Sequence, residues 1–187
     1  MTTHPTEHSR PDGHRQFVVM GVTSCGKSAV AAALARSLNT AYIEGDALHG
    51  EHNIAKMSRG EPLTDADRWP WLDRVATALL QAGPVAVASC SALCRRYRDR
   101  IRGEHAATTT FIHLHGERDV IAARMQARTD HFMPLSLLDS QLALLEPLEQ
   151  DEHGVVIDIT SSLDSVVEQT VAFATPLLPP SSTGQHT

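Results

Sequence analysis

The sequence predicts an α/β fold: three layers, α/β/α, around a five-stranded parallel sheet. Three observations lead there. Strand-like and helix-like segments alternate along most of the chain, the pattern of βα units that build a parallel sheet covered on both faces. Val85-Ala86-Val87-Ala88-Ser89 is small and apolar throughout, as a central parallel strand buried on both sides should be. The first strand runs directly into Gly21-Val22-Thr23-Ser24-Cys25-Gly26-Lys27-Ser28, a G-x-x-x-x-G-K-[ST] loop that opens a helix.

Each element has a local reason. The apolar run Phe17-Val18-Val19-Met20 sets a strand at about 16–20, and the alanine-rich stretch after the loop sets a helix over 27–38. Residues 40–44 form a short second strand and 47–58 a helix. Thr64 with Asp67 three residues later makes a capping box, with Asp in place of the usual Glu or Gln. That box starts a helix running to about 81, kinked or restarted at Pro70. After the strand at 85–89 come a basic helix at 93–102, a fourth strand at 109–114 and a helix at 119–128. Residues 129–134 read as a loop, 135–145 as a helix, 155–159 as the last strand and 163–173 as the last helix. Residues 1–15 and 176–187, the latter containing Pro-Pro-Ser-Ser-Thr-Gly, are expected to be disordered tails around one domain spanning 16–175.

Composition narrows the function classes. A chain of 187 residues suits one core, and 42% apolar with 20% charged residues is a globular balance. A net charge of -6 argues against a general nucleic-acid binder. No apolar stretch approaches the ~20 residues of a membrane span, and residues 1–15 lack the apolar centre of a secretion signal. Three cysteines, an odd number without metal-site spacing, read as reduced thiols in a cytoplasmic protein. His113 and His115 share a strand face, but no carboxylate or thiol stands at ligand spacing, so a histidine metal site is not expected.

The glycine loop carries the first chemistry. The backbone N–H groups of Gly21, Val22, Thr23, Ser24, Cys25, Gly26, Lys27, Ser28 and Ala29, with the positive end of the helix, make a polyphosphate cradle. Lys27 can reach the β- and γ-phosphates and the Ser28 hydroxyl can ligate Mg²⁺, which implies ATP and Mg²⁺. A plain strand-to-helix turn would not require Lys and Ser after the second glycine. The second strand ends in Glu44-Gly45-Asp46, which puts Asp46 at the ligand-binding carboxyl edge of the sheet. There it can align an acceptor hydroxyl and accept its proton, a role compatible with capping the next helix. Cys25, beside a helix N-terminus, is expected to react with thiol reagents unless ATP protects it.

From Gly45 onward the sequence resembles one family. Gly45-Asp46-Ala47-Leu48-His49, Asn53-Ile54-Ala55-Lys56-Met57 and Gly60-Glu61-Pro62-Leu63-Thr64-Asp65-Ala66-Asp67-Arg68-Trp69-Pro70-Trp71-Leu72 closely resemble gluconate kinases (gluconokinases). The likeness continues in Cys90-Ser91-Ala92-Leu93, Tyr97-Arg98-Asp99, His131-Phe132, Leu137-Leu138-Asp139-Ser140-Gln141 and Glu146-Pro147, and covers roughly residues 16–174. The resemblance implies a fold like that of shikimate and nucleoside monophosphate kinases, with a mobile lid at about 124–140. It implies that ATP and D-gluconate give ADP and 6-phosphogluconate, and that a homodimer forms.

Gluconate is a polyol with a carboxylate at one end. Asp46, His49 and Asn53 recur at helical spacing, so they can share one face and offer hydroxyl partners. Arg68 or one of Arg95, Arg96 and Arg98 would take the carboxylate through a two-donor fork, with Arg98 favoured. Arg124 and Arg128, four apart before His131, would stabilise the transferring phosphoryl group. The alternative for them is a surface helix paired with Glu117 or Glu152. Two departures from the family pattern stand out: Thr23-Ser24-Cys25 where Ser-Gly-Ser is usual, and Cys94 where Lys is usual. Ser24 therefore needs an ordinary φ or introduces strain. Shikimate kinase is the neighbouring reading, and a regulatory nucleotide switch a third. The latter lacks an Asn-Lys-x-Asp signature, a D-x-x-G switch and an Asp ending strand 85–89.

Overall fold

The computed structural model describes residues 13–105, 108–127 and 135–180. Five strands, β1 (Arg15–Met20), β2 (Ala41–Glu44), β3 (Val85–Ser89), β4 (Thr109–His115) and β5 (Gly154–Asp158), pair in parallel in the order β2-β3-β1-β4-β5. β1 lies at the centre, so the strand that leads into the glycine loop is fully buried from Phe17 to Met20.

Side-chain alternation along β1 divides the core in two. Phe17 and Val19 pack with Val30, Leu34, Ile112, Leu114, Ile121 and Val166. That layer is supplied by α1 (Lys27–Ser37), α5 (Arg118–Gln126) and α7 (Leu163–Ala174), joined by Leu138 of α6 (Leu135–Leu144). Val18 and Met20 face the other way, onto Trp71, Leu72, Val75 and Leu79 of α3 (Asp65–Gln81) and Tyr97 and Ile101 of α4 (Arg95–Arg102). Three layers and a five-stranded parallel sheet are as the sequence predicts.

The Thr64–Asp67 capping box forms: the Asp67 N–H donates to Thr64 Oγ1, and the Thr64 N–H donates to Asp67 Oδ2 at 2.7 Å. α3 then runs unbroken through Pro70. The proline lies in the second turn, where it forfeits one backbone bond.

Three boundaries differ from expectation. The helix expected over 47–58 is a 3-10 turn, Gly45–Leu48, followed by α2 (Glu51–Ser58). The turn stops because His49 and Gly50 are extended, at ψ 139 and ψ 162, while Arg74 Nε on α3 donates to the Leu48 carbonyl at 2.7 Å. α4 starts at Arg95, after Cys94 in extended conformation. The fold also extends beyond 16–175. Arg15 begins β1 and its Nε donates to the Leu177 carbonyl at 2.7 Å, while Leu177 and Leu178 pack on the core.

Candidate active site

Lys27, Ser28 and the loop before them sit at the middle of the sheet's carboxyl edge. Gly21 is required there: at φ 139, a Cβ would lie 2.7 Å from the Leu114 carbonyl oxygen and 2.9 Å from Cys25 Sγ. Lys27 Nζ donates to the Val22 carbonyl at 2.8 Å, which folds the ammonium over its own loop. The Thr23 N–H donates to Gln141 Oε1 at 2.7 Å and ties α6 to the loop. Ser24 adopts φ 59, so the departure from glycine does place a side chain in left-handed backbone. Cys25 is 1% exposed, which corrects the expectation of a reagent-accessible thiol.

Beside the loop lies a carboxylate that helical and loop motifs did not single out. Tyr42 and Glu44 are two apart on β2 and share a face, and Glu44 is in register with Ser89 on β3. Tyr42 OH donates to Glu44 Oε2 at 2.6 Å and Ser89 Oγ donates to Oε1 at 2.5 Å. The Ser28 hydroxyl lies near enough to help lower the pKa of this carboxylate. Burial pushes the Glu44 pKa up, but the Ser89, Tyr42 and Ser28 hydroxyls outweigh it, and the group is held below the usual carboxylate range. The period-two spacing of Tyr42 and Glu44, with a Ser ending the neighbouring strand, was the available signal.

Gly45 follows, so close to β3 that a Cβ would overlap the Ser89 carbonyl oxygen at 2.0 Å. Trp71 Nε1 donates to the Gly45 carbonyl at 2.7 Å and fixes the turn that carries Asp46. Asp46 is exposed at the carboxyl edge. The Cys90 thiol ends β3 beneath this edge. Burial pushes it up to about 12, and it feels the charges of Asp46, Lys27 and Glu44 together. Lys27 follows the carboxyl end of β1, and Glu44 and Asp46 stand at that of β2; these strands flank β3 in one parallel sheet, so the three residues lie at the same edge.

On the acceptor side, the break before α2 means that Asp46, His49 and Asn53 do not share a helix face, correcting the spacing argument. His49 stacks on Trp71 with ring centroids 4.1 Å apart. Burial lowers its pKa to about 4, with Asp46 opposing and Arg74 and Arg68 assisting. Asn53 is 5% exposed, and its amide donates to the Asp67 carbonyl at 2.8 Å and lies 3.3 Å from His49 Nδ1. A donor at Nδ1 leaves the neutral ring's proton on Nε2.

The arginines separate by partner. Arg98, the favoured carboxylate ligand, is fully buried and uses all five donors. Nε and Nη2 grip Glu152 at 2.7 Å each, and the remaining N–H groups go to the carbonyls of Leu93, Glu146 and Pro147. It has no donor left for a substrate. Arg95 pairs with Asp99, Glu149 and Asp151, and Arg96 with Asp65. Arg68 forms no salt bridge among the described residues; its Nη1 donates to Tyr97 OH at 3.1 Å, and Tyr97 OH donates on to Asp65.

Arg124 ends α5 with Nη2 donating to the carbonyl of Ile159, just past β5. Its pairing with Glu152 does not occur, because Glu152 belongs to Arg98. Arg128 and His131, the centre of the expected lid, lie outside the described residues. His113 and His115 share their face, with ring centroids 5.8 Å apart. Among the described residues no three His, Cys, Asp or Glu side chains cluster to hold a metal ion, and no helix is long and apolar enough to cross a membrane.

This arrangement has clear relatives. The adenylylsulphate kinase family model matches residues 15–130. A gluconokinase of Gluconobacter oxydans is 44% identical over 171 residues, covering 89% of this chain and 96% of the relative. The thermoresistant gluconokinase of Escherichia coli is 43% identical over 162 residues, covering 84% and 92%. The chain belongs to the gluconokinase family. The crystal structure of a gluconokinase from Sinorhizobium meliloti superposes with a TM-score of 0.82 at 42% identity, covering 94% of this chain and 99% of that one. Gluconokinase likeness thus runs past residue 130, where the adenylylsulphate kinase model ends. A shikimate kinase from Bacteroides thetaiotaomicron, at 13% identity and TM-score 0.64, shares the fold alone.

Proposed function

We propose that this gluconokinase-family chain transfers the γ-phosphoryl group of ATP to the 6-hydroxyl of D-gluconate. The observation that carries the reading is the placement of Lys27, Asp46 and Glu44 at one carboxyl edge of the sheet, beside a loop whose donors suit a polyphosphate. Lys27 leaves the Val22 carbonyl to meet the β- and γ-phosphates. Asp46 aligns the acceptor hydroxyl; its oxygen forms the new bond to phosphorus as the bond to ADP breaks, and the proton passes to the Asp46 carboxylate. Arg68 takes the gluconate carboxylate, held in place by the Tyr97 hydroxyl. His49 Nε2 and Asp46 meet the polyol, and Asn53 contributes by holding His49. Arg124 stabilises the transferring phosphoryl group, a role that Arg128 would share, and His131 would serve the substrate.

The Ser28 hydroxyl fits a Mg²⁺ site, with Glu44 beside it to act through bound water, because Mg²⁺ is bound through few protein oxygens together with phosphates and waters. When bound, the ion neutralises charge developing on the phosphates. A cytoplasmic homodimer completes the reading, checked by sedimentation.

The direct test is ADP release in a coupled assay with gluconate, shikimate, adenylylsulphate or water as acceptor. Gluconate alone should stimulate turnover; no stimulation by gluconate, or equal stimulation by another acceptor, overturns the assignment. Arg68→Lys should raise KM for gluconate about tenfold or more through loss of the planar fork, with kcat little changed. An unchanged KM removes Arg68 from the site.

A further inference from the structure

β2 is an edge strand of four residues, and its backbone alone cannot fix a glutamate side chain. A free Glu loses rotamer entropy when it is held in one position. Here both carboxylate oxygens are held. Tyr42, on the same strand face, donates to one, and Ser89, the register partner on β3, donates to the other. Ser89 is buried, and its Oγ also receives the Gly45 N–H at 3.3 Å. The Asp46 N–H approaches Oε1 at 3.5 Å. The Ser28 hydroxyl stands close enough to help lower the Glu44 pKa. With about four acceptor sites on a carboxylate, these donors leave Glu44 one orientation.

We propose that Tyr42 and Ser89 are positioning residues that lock Glu44 as acceptor of the Ser28 proton, so that the Ser28 oxygen keeps its lone pairs turned toward the nucleotide's divalent cation. Glu44 then acts on the cation through Ser28 and through cation-bound water, not as a direct ligand. The hydroxyl proton of Ser28 can point to one acceptor at a time; the locked carboxylate decides which. Tyr42 serves as a donor because a phenol keeps its proton at neutral pH. This inference rests on the ATP-dependent reading of the site.

The test separates cation binding from turnover. ATP affinity is measured calorimetrically, once with EDTA and once with Mg²⁺, for the wild type, Glu44→Gln, Tyr42→Phe and Ser89→Ala. Unfolding midpoints are recorded in parallel. Tyr42→Phe keeps the ring that packs on the core and removes only the hydroxyl. The expected result is unchanged metal-free ATP affinity in both clamp variants, with the tightening by Mg²⁺ reduced on the order of tenfold, as suits one lost charge-assisted donor. If Glu44→Gln loses the tightening while Tyr42→Phe and Ser89→Ala keep it, the clamp is overturned. If Glu44→Gln also keeps it, the cation does not depend on Ser28 and Glu44, and the clamp falls with that assignment. A wild type that binds no ATP overturns the kinase reading itself.

Discussion

Replacing Arg98 should unfold the protein rather than spoil its substrate site. The guanidinium and the Glu152 carboxylate are both fully buried, at 2.7 Å through two bonds. Arg98→Leu leaves the buried Glu152 carboxylate with only Arg95 Nη1 at 3.7 Å and the Glu149 N–H, and it takes a donor from each of the carbonyls of Leu93, Glu146 and Pro147. Breaking a buried pair from one side costs about 3–5 kcal/mol. Against a total stability of about 5–15 kcal/mol, that is a large fraction. At about 2–4 °C per kcal/mol for a chain of this size, the melting midpoint should fall by roughly 10 °C or more. Thermal unfolding followed by circular dichroism gives the midpoint, and gluconate KM is measured on the protein that stays folded. The double variant Arg98→Met with Glu152→Leu removes both charges and should recover much of the loss, since apolar replacement of a buried pair is often neutral. A variant Arg98→Leu with the wild-type midpoint and a raised gluconate KM would refute the argument and restore Arg98 to the substrate site.

Two further outcomes follow from strain and from burial. Ser24→Gly removes a Cβ from left-handed backbone at φ 59 and should stabilise by about 1 kcal/mol. A lower midpoint for that variant would mean that the Ser24 side chain contributes more than its strain costs. His49 and His113 both have pKa values lowered to about 4, chiefly by burial. Their stabilising contribution is present above the unfolded value near 6.5 and is lost as pH falls toward 4. Each can add up to about 1.4 kcal/mol per pH unit to the slope in that window. Urea denaturation at pH 7 and pH 5.5 checks this, and equal stability at both would contradict it.

The fold was legible because period and punctuation were strong: apolar runs for buried strands, a capping box for α3, a glycine loop between β1 and α1. The phosphate loop was legible for the same reason, since its chemistry is carried by backbone at fixed spacing. The substrate side was less so. Helical spacing grouped Asp46, His49 and Asn53, but His49 and Gly50 are extended and break the run, and the Arg74 bond to the Leu48 carbonyl at that break comes from another helix, which no local rule sees. Sequence placed Arg98 among the arginines without distinguishing a free fork from a saturated one. That distinction depends on Glu152, 54 residues away. Glu44 stood in plain view beside Asp46, but its role emerges only once β2 lies against β3 and brings Ser89 to it.

The stretch from Gly45 to Leu72, which carries most of the family likeness, makes physical sense as a holder for Asp46. Gly45 permits β2 to approach β3, and the Trp71 indole pins its carbonyl. His49 stacks on that indole. Asn53 and Lys56 on α2 both bind Asp67, through its carbonyl and its carboxylate at 2.7 Å, while Asp67 also caps α3. Lys56 and Thr64 hold the Asp67 carboxyl well below its ordinary value, so the cap stays charged across the working pH range. Most of these residues are occupied with one another. Their arrangement fixes the turn from which an exposed aspartate projects beside a phosphate loop, and with Asp46 in the role proposed for it a displacement of about 1 Å there would cost on the order of a hundredfold in rate. A motif of this kind tolerates little change because its members position one carboxylate together, although few of them need to touch the substrate.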